Sequence, residues 1–373
     1  MDKRKKYDCL KHVCKKFDIK IESIEPFGNG KINKTFKVTS ENGKIYILQC
    51  VSNKMGDVEV LMNNTKNIID FFEDKKFSNL KLINANNKSF CKIKDKYFRM
   101  FEFCSGKVFE TISNNKRFEK AGKAFGEFSK NLEDFNVEKI SPLMPDFHNT
   151  LKIYDEFIDA LKKDVCGRSK LCYEQIINLI SKNKYVDMFE KLKINLPKRI
   201  IHGDTKLNNL IFDETGENVR CVVDYDTVMP NYLCYDFGDA IRSGCNMASE
   251  DETDFSKVRF NLGLYKSFTK GFLSVWGESL TEEEIKSFTF APMLVTYELS
   301  LRFLTDYLKG DVYFLIKSKE DNLNRCKNQL ALLVDMERYE KIFRSEILNF
   351  CDNENQKKSN KTLMVDEKFK KCL

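Results

Sequence analysis

Arg199-Ile200-Ile201-His202-Gly203-Asp204-Thr205-Lys206-Leu207-Asn208-Asn209-Leu210-Ile211-Phe212, followed by Cys221-Val222-Val223-Asp224, decides the reading of this chain. It sets His202, Asp204 and Asn209 in the order H-x-D-x-x-x-x-N, with Asp224 twenty positions beyond Asp204. Phosphoryl transfer to a hydroxyl needs such a layout: one carboxylate to accept the proton, and an asparagine and a second aspartate to hold magnesium against phosphates. The ligands are oxygens, which suits a hard cation. The flanks fit. Arg199–Ile201 and Leu210–Phe212 read as short strands, Asp213-Glu214-Thr215-Gly216 as a hairpin turn, and Cys221–Val223 as a buried strand ending at Asp224. Asp204 and Lys206 are the candidate catalytic residues, with Lys206 reaching the transferred phosphoryl group as a point charge. Asn209 and Asp224 are the candidate metal ligands.

Working outward, the N-terminal third predicts a small sheet. Residues 6–18 read as an amphipathic helix. Ile21–Phe27, Thr35–Thr39 and Lys44–Val51 read as strands, with Asn42-Gly43 as a hairpin signal. A helix over Glu59–Phe72 follows, then strands over Leu80–Ala85, Phe90–Ile93 and Tyr97–Phe103. The loop GNGKINKTF, Gly28 to Phe36, can cover nucleotide phosphates with its backbone amides. Gly28, Gly30, Asn33 and Thr35 are its candidate contacts, and a plain hairpin turn is the competing reading. Gln49 stands on the third strand, where a protein kinase carries a phosphate-binding lysine. The nucleotide base is expected near Phe101–Ser105, with Phe101 and Phe103 beside it, and Cys104-Ser105-Gly106 reads as a hinge.

Beyond the hinge the chain turns helical. Helices are predicted over Lys116–Leu132, Asn149–Lys163, Ser169–Ser181, Lys257–Trp276, Thr281–Lys309 and Lys319–Phe350. The expected fold is α+β and two-lobed, like a protein kinase: a β-rich nucleotide lobe over 1–104, a mostly helical catalytic and substrate lobe over 105–350, and a polar tail over 351–373. Asp236-Phe237-Gly238 spells a kinase metal motif but comes too late after Asp204. Asp236 and Asp239 are therefore read as supports of the catalytic loop, with Arg242 as a charge partner. Arg302 and Asp306, four apart on one helical face, read as a surface salt bridge.

Composition narrows the class. The net charge of +7 is spread over 63 basic and 56 acidic residues, so no basic face for nucleic acid is expected. With three histidines, His12, His148 and His202, zinc is not expected. The 13 cysteines follow no C-x-x-C pattern, the start MDKRKKYDCL has no apolar segment behind its charges, and no segment is long and apolar enough for a membrane. A cytoplasmic protein with reduced thiols is expected.

HGDTKLNNLIF, VVDYDTVMP, YDFGDAIR and RFLTDYLKGDVYF together resemble the aminoglycoside phosphotransferase/choline kinase superfamily, and within it the N-acetylhexosamine 1-kinase branch. GNGKINKTF, YILQ and PDFHNT (Pro145–Thr150) are similar to the same branch. The resemblance implies magnesium-dependent transfer of the ATP γ-phosphate to the anomeric hydroxyl of N-acetylglucosamine or N-acetylgalactosamine. It also implies Asp204 as base, with Thr227 and Arg302 meeting the sugar. Lys31 stands where that pattern has histidine, Gly203 where it has asparagine, and Asn231 where it has glycine. The rivals are a kinase of choline, an aminoglycoside or another sugar on the same fold, and a non-catalytic nucleotide-binding pseudokinase.

Overall fold

The computed structural model describes residues 3–28, 32–53, 56–75, 77, 80–141 and 143–350, leaving aside the side chains of 3–7 and 278. Gly30, Lys31 and the tail over 351–373 lie outside the described residues. Helix makes up 53% and strand 15%, so the sheet is a local component.

In chain order the first elements are α1 (Lys3–Lys16), β1 (Ile21–Pro26), β2 (Lys34–Ser40), β3 (Ile45–Val51), α2 (Val58–Asp74), β4 (Leu82–Ile83), β5 (Cys91–Ile93) and β6 (Lys96–Glu102). Then come α3 (Asn115–Asn131), α4 (Thr150–Lys163), α5 (Tyr173–Ser181), α6 (Lys184–Leu192), β7 (Arg199–Ile201), β8 (Leu210–Phe212), β9 (Val219–Val222) and β10 (Met229–Asn231). Last are α7 (Leu233–Gly244), α8 (Leu262–Trp276), α9 (Glu282–Phe288), α10 (Ala291–Lys309) and α11 (Asp321–Glu337).

Two compact units emerge. The first holds the described chain through Val108, with Asp134–Pro145 and Asn209–Pro230. Its sheet is antiparallel in the order β1-β2-β3-β6-β4, with β5 also on β6. Alternation in β2 and β3 sends Phe36, Val38, Tyr46 and Leu48 to one face, where they meet Val13, Cys14 and Phe17 from α1 and its end. Asp57 caps α2 by accepting from the amides of Glu59 and Val60, and Leu61 and Met62 pack with Val51 and Phe90. Leu80–Ala85 contributes only Leu82–Ile83 as strand, because Ala85 turns back through paired bonds with Lys88.

The second unit holds Phe109–Glu133, Asp146–Asn208 and the described chain from Asn231. Asparagines start its helices: Asn114, Asn149 and Asn261 cap α3, α4 and α8. Asn261 thereby moves the start of the helix expected from Lys257 to Leu262. The helix expected over Thr281–Lys309 is two helices. Thr281 and Glu284 close a capping box on α9, and Pro292, with no amide to donate, opens α10. Over Ser169–Ser181 the first turn is 3-10. Most of α10 is buried, in contact with α4, α7 and α11. Among the described residues no helix is long and apolar enough to cross a membrane.

Candidate active site

The first unit carries the metal-ligand candidates on one hairpin. β8 and β9 pair antiparallel, with Leu210 opposite Val222. The buried Leu210 and Phe212 anchor β8. Asp213 closes the turn, accepting from the Thr215 hydroxyl, the Asn218 amide group and the Glu217 backbone. These donors hold its carboxyl below the usual range, Thr215 foremost. The Val223 amide donates to the Asn209 carbonyl at 2.9 Å, so Asn209 and Asp224 flank the same end of the hairpin. Asp224 adopts a left-handed conformation at φ 67°, which aspartate tolerates better than most residues. Among the described residues no group of three or more His, Cys, Asp or Glu gathers as a protein-only cage. Two oxygen donors leaving positions for phosphates and water fit magnesium.

Beside this end runs a buried network that sequence reasoning missed. Arg99 on β6 lies directly across from Gln49 on β3. Its Nε donates to the Gln49 side-chain oxygen Oε1 at 2.8 Å and its terminal nitrogen meets Asp226 at 2.5 Å. Asp226 also accepts from Asn33 at 2.8 Å, and Asn33 in turn accepts from the Ser52 amide at 2.9 Å. Gln49 donates to Thr35 at 3.3 Å. Three of the nucleotide candidates, Asn33, Thr35 and Gln49, thus share one set of hydrogen bonds. The available signal was an arginine between the apolar Phe98 and Met100. Phe101 is buried on the same strand, and Phe103 is half-buried, edge-on to Phe27 at 6.0 Å. Gly28 has φ 67°, and Thr227 ends the short 3-10 turn after Asp224.

The second unit carries the candidate base. Asp236, near the start of α7, accepts the backbone amides of His202 and Gly203 at 2.8 and 2.7 Å. The Thr205 hydroxyl donates to its carbonyl at 2.6 Å. Both carboxylate oxygens are thereby committed to the loop. Burial pushes the Asp236 carboxyl up, against the pull of those amides and of His202. His202 is fully buried, edge-on to Phe125 and Phe128, and its Nδ1 accepts the Asp204 amide at 3.3 Å. Gly203 has φ 79°, a conformation open to glycine and asparagine alike, which explains its exchange with the asparagine of the resembled pattern.

The Lys206 ammonium lies 2.8 Å from Asp204, whose charge raises the lysine above its ordinary value. Asp239 forms an ion pair with Arg242 at 2.8 Å; burial opposes its ionised form, but Arg242 and Lys206 outweigh burial and hold the carboxyl low. His148 stacks on Tyr235 at 4.3 Å and bonds Glu298 through Nδ1 at 2.8 Å. Asn231 donates to the Phe147 carbonyl at 3.0 Å, tying the departure from glycine to the Pro145–Thr150 segment.

Arg302 and Asp306 do not form the expected surface pair. Asp306 is buried and spends its oxygens on the amides of Val312, Tyr313 and Phe314 and on Asn322. The Arg302 guanidinium instead lies 5.5–5.8 Å from the rings of Phe147, Tyr313 and Phe314.

A model of the phosphotransferase enzyme family, APH, matches residues 23–255, more than half of the chain. Among solved structures, an amicoumacin kinase in complex with AMP-PNP, Ca2+ and Ami superposes with a TM-score of 0.62 at 15% identity, over 89% of this chain and 93% of that one. An aminoglycoside phosphotransferase from Alicyclobacillus acidocaldarius gives 0.61 at 13%, over 89% and 96%. An ethanolamine kinase from Plasmodium vivax gives 0.54 at 17%, over 87% and 85%. Identities this low speak for the fold alone, which is kinase-like: a small antiparallel sheet region and a larger helical one. The family match carries the rest, and the chain belongs to the phosphotransferase enzyme family.

Proposed function

We propose that this protein transfers the γ-phosphate of ATP to the C1 hydroxyl of an N-acetylhexosamine, giving the sugar 1-phosphate. The observation that carries this reading is the common placement of Asn209 and Asp224 at one end of the β8–β9 hairpin, five and twenty residues beyond Asp204. In this reading residues 1–104 serve the nucleotide, through Gly28, Gly30, Asn33, Thr35, Gln49, Phe101 and Phe103. Residues 105–350 serve catalysis and the sugar. Asn209 and Asp224 hold Mg2+, which when bound neutralises phosphate charge.

Asp204 orients the C1 hydroxyl and accepts its proton as the bond to phosphorus forms and ADP leaves. An anomeric hydroxyl is more acidic than an ordinary alcohol, so a carboxylate suffices as base. Lys206 keeps a positive charge against Asp204 and favours the anionic group in transfer. Thr227 and Arg302 meet the sugar.

The cations argue for a neutral acceptor. A quaternary ammonium needs free aromatic faces, and those of Phe147, Tyr313 and Phe314 surround Arg302. A polycationic aminoglycoside would meet Lys206 and Arg302 unfavourably. The absence of a membrane-length helix among the described residues is compatible with the expected cytoplasmic site.

Phosphorus NMR of the product tests the reading, after incubation with Mg-ATP and N-acetylglucosamine, N-acetylgalactosamine, galactose, choline or kanamycin in turn. A phosphate signal split by the C1 proton of an N-acetylhexosamine is expected. Choline phosphate or a phosphorylated aminoglycoside would move the protein to another branch, and ATP binding with no product from any acceptor would favour the pseudokinase.

A further inference from the structure

The pair Arg99–Asp226 joins residues 127 apart in sequence and is nearly sealed from solvent, at 2% and 6% exposure. A buried ion pair is a poor source of net stability, since both charges lose their water. Its worth lies in fixing one geometry, provided that the surrounding polar atoms are satisfied. Here Asp226 takes Arg99 on one oxygen and Asn33 on the other. Arg99 spends its Nε on Gln49, and its guanidinium sits 5.3 Å from the Phe101 ring. Tyr225, the residue between Asp224 and Asp226, lies edge-on to Phe72 of α2 at 6.2 Å. The turn after β9 is therefore held through Asp226 by β6 and through Tyr225 by α2.

We infer that Arg99 is a positioning residue for the metal: by clamping Asp226 it sets the 224–227 turn, and through Gln49 and Asn33 it ties that turn to the nucleotide loop. This rests on the proposed function, in which Asp224 is a magnesium ligand. Arginine suits the task because its planar fork serves two acceptors in fixed directions, which lysine cannot do. The clamp couples two binding events. A nucleotide that orders Asn33, Thr35 and Gln49 also orders Asp226, and with it the backbone of Asp224.

The test is calorimetric binding of ADP with and without saturating magnesium, together with melting temperature. It is made on the full chain, Arg99→Met, and the double variant Arg99→Met/Asp226→Asn. The single variant leaves a buried carboxylate without its cation and is expected to melt lower. The double variant removes that charge and is expected to regain melting temperature. In both, magnesium should improve ADP affinity at least about tenfold less than in the parent, the usual loss when a group supporting a metal ligand is removed. Metal-free ADP affinity should also fall in both variants, because Gln49 and Asn33 lose partners, but by a smaller factor than the loss of the magnesium effect. A magnesium effect equal to the parent's in either folded variant, or one that returns together with melting temperature, overturns the inference. A parent whose ADP affinity ignores magnesium overturns the metal assignment of the proposed function itself.

Discussion

Asp236 holds Gly203 by a backbone amide at 2.7 Å and, with its other oxygen, the amide of His202 at 2.8 Å. Two adjacent donors require two acceptors. Asparagine would present one oxygen and one NH2 group, so one buried amide would face another donor. Asp236→Asn is expected to destabilise the chain by about 3 kcal/mol, the scale of losing a charge-assisted bond and stranding its partner. Denaturant unfolding reads this directly, and a cost below about 1 kcal/mol would sink the account.

Much of this loop was legible in the sequence because its signals are local. The hairpin turn, the buried strands and the spacing of Asp204, Asn209 and Asp224 lie within one short stretch, and Asp236 was read as its support. What escaped is non-local. Nothing local marks the role of Arg99 in β6; that role depends on the register that sets the arginine across from Gln49 and on Asp226. Arg302 and Asp306 were misread because helical spacing makes them neighbours, whereas Asp306 is claimed by amides of the turn over 312–314. The break before α10 was visible in Pro292, but the apolar periodicity ran through it.

In the proposed mechanism Asp204 serves the hydroxyl and Asn209 and Asp224 the metal, so their variants should separate. Asp204→Asn is expected to lower turnover on the preferred acceptor about a thousandfold, within the range for loss of a general base. Mg-ADP binding by calorimetry should stay near that of the parent. Turnover within tenfold of the parent would remove Asp204 from the role of base.

Cys104 offers a pH-dependent signal. It shares a hydrogen bond with Cys221, and this contact, more than the nearby Arg220, holds its thiol below the ordinary range against the opposing effect of burial. The partner is driven up, by that same contact and by burial. Because the folded chain favours the Cys104 thiolate, alkylation should begin at lower pH than for an ordinary thiol. Iodoacetamide labelling of Cys104, followed by peptide mass spectrometry, should reach its half-maximum at a lower pH than labelling of an ordinary thiol. Cys221→Val should carry the midpoint back toward the usual thiol range of roughly 8.5. A midpoint that stays put in the variant would mean that Cys221 does not set it.

Gly106 meets the carbonyl of Phe212 so closely that a Cβ there would stand 1.9 Å from the oxygen and 2.9 Å from a methyl of Ile211. The approach is locked by two bonds, Lys107 amide to Phe212 carbonyl at 3.0 Å and the reverse at 2.8 Å. They tie the segment after β6 to β8, which Asn209 immediately precedes. Alanine at 106 cannot be absorbed by a flexible side chain, because the obstacle is backbone. Gly106→Ala is expected to cost about 3 kcal/mol, at the upper end of overpacking, and to break both bonds. Hydrogen exchange at the Lys107 and Phe212 amides tests the local claim apart from overall stability. Protection retained at both amides in the variant would mean that the segment can shift without releasing β8, and Asn209 would then not depend on this contact.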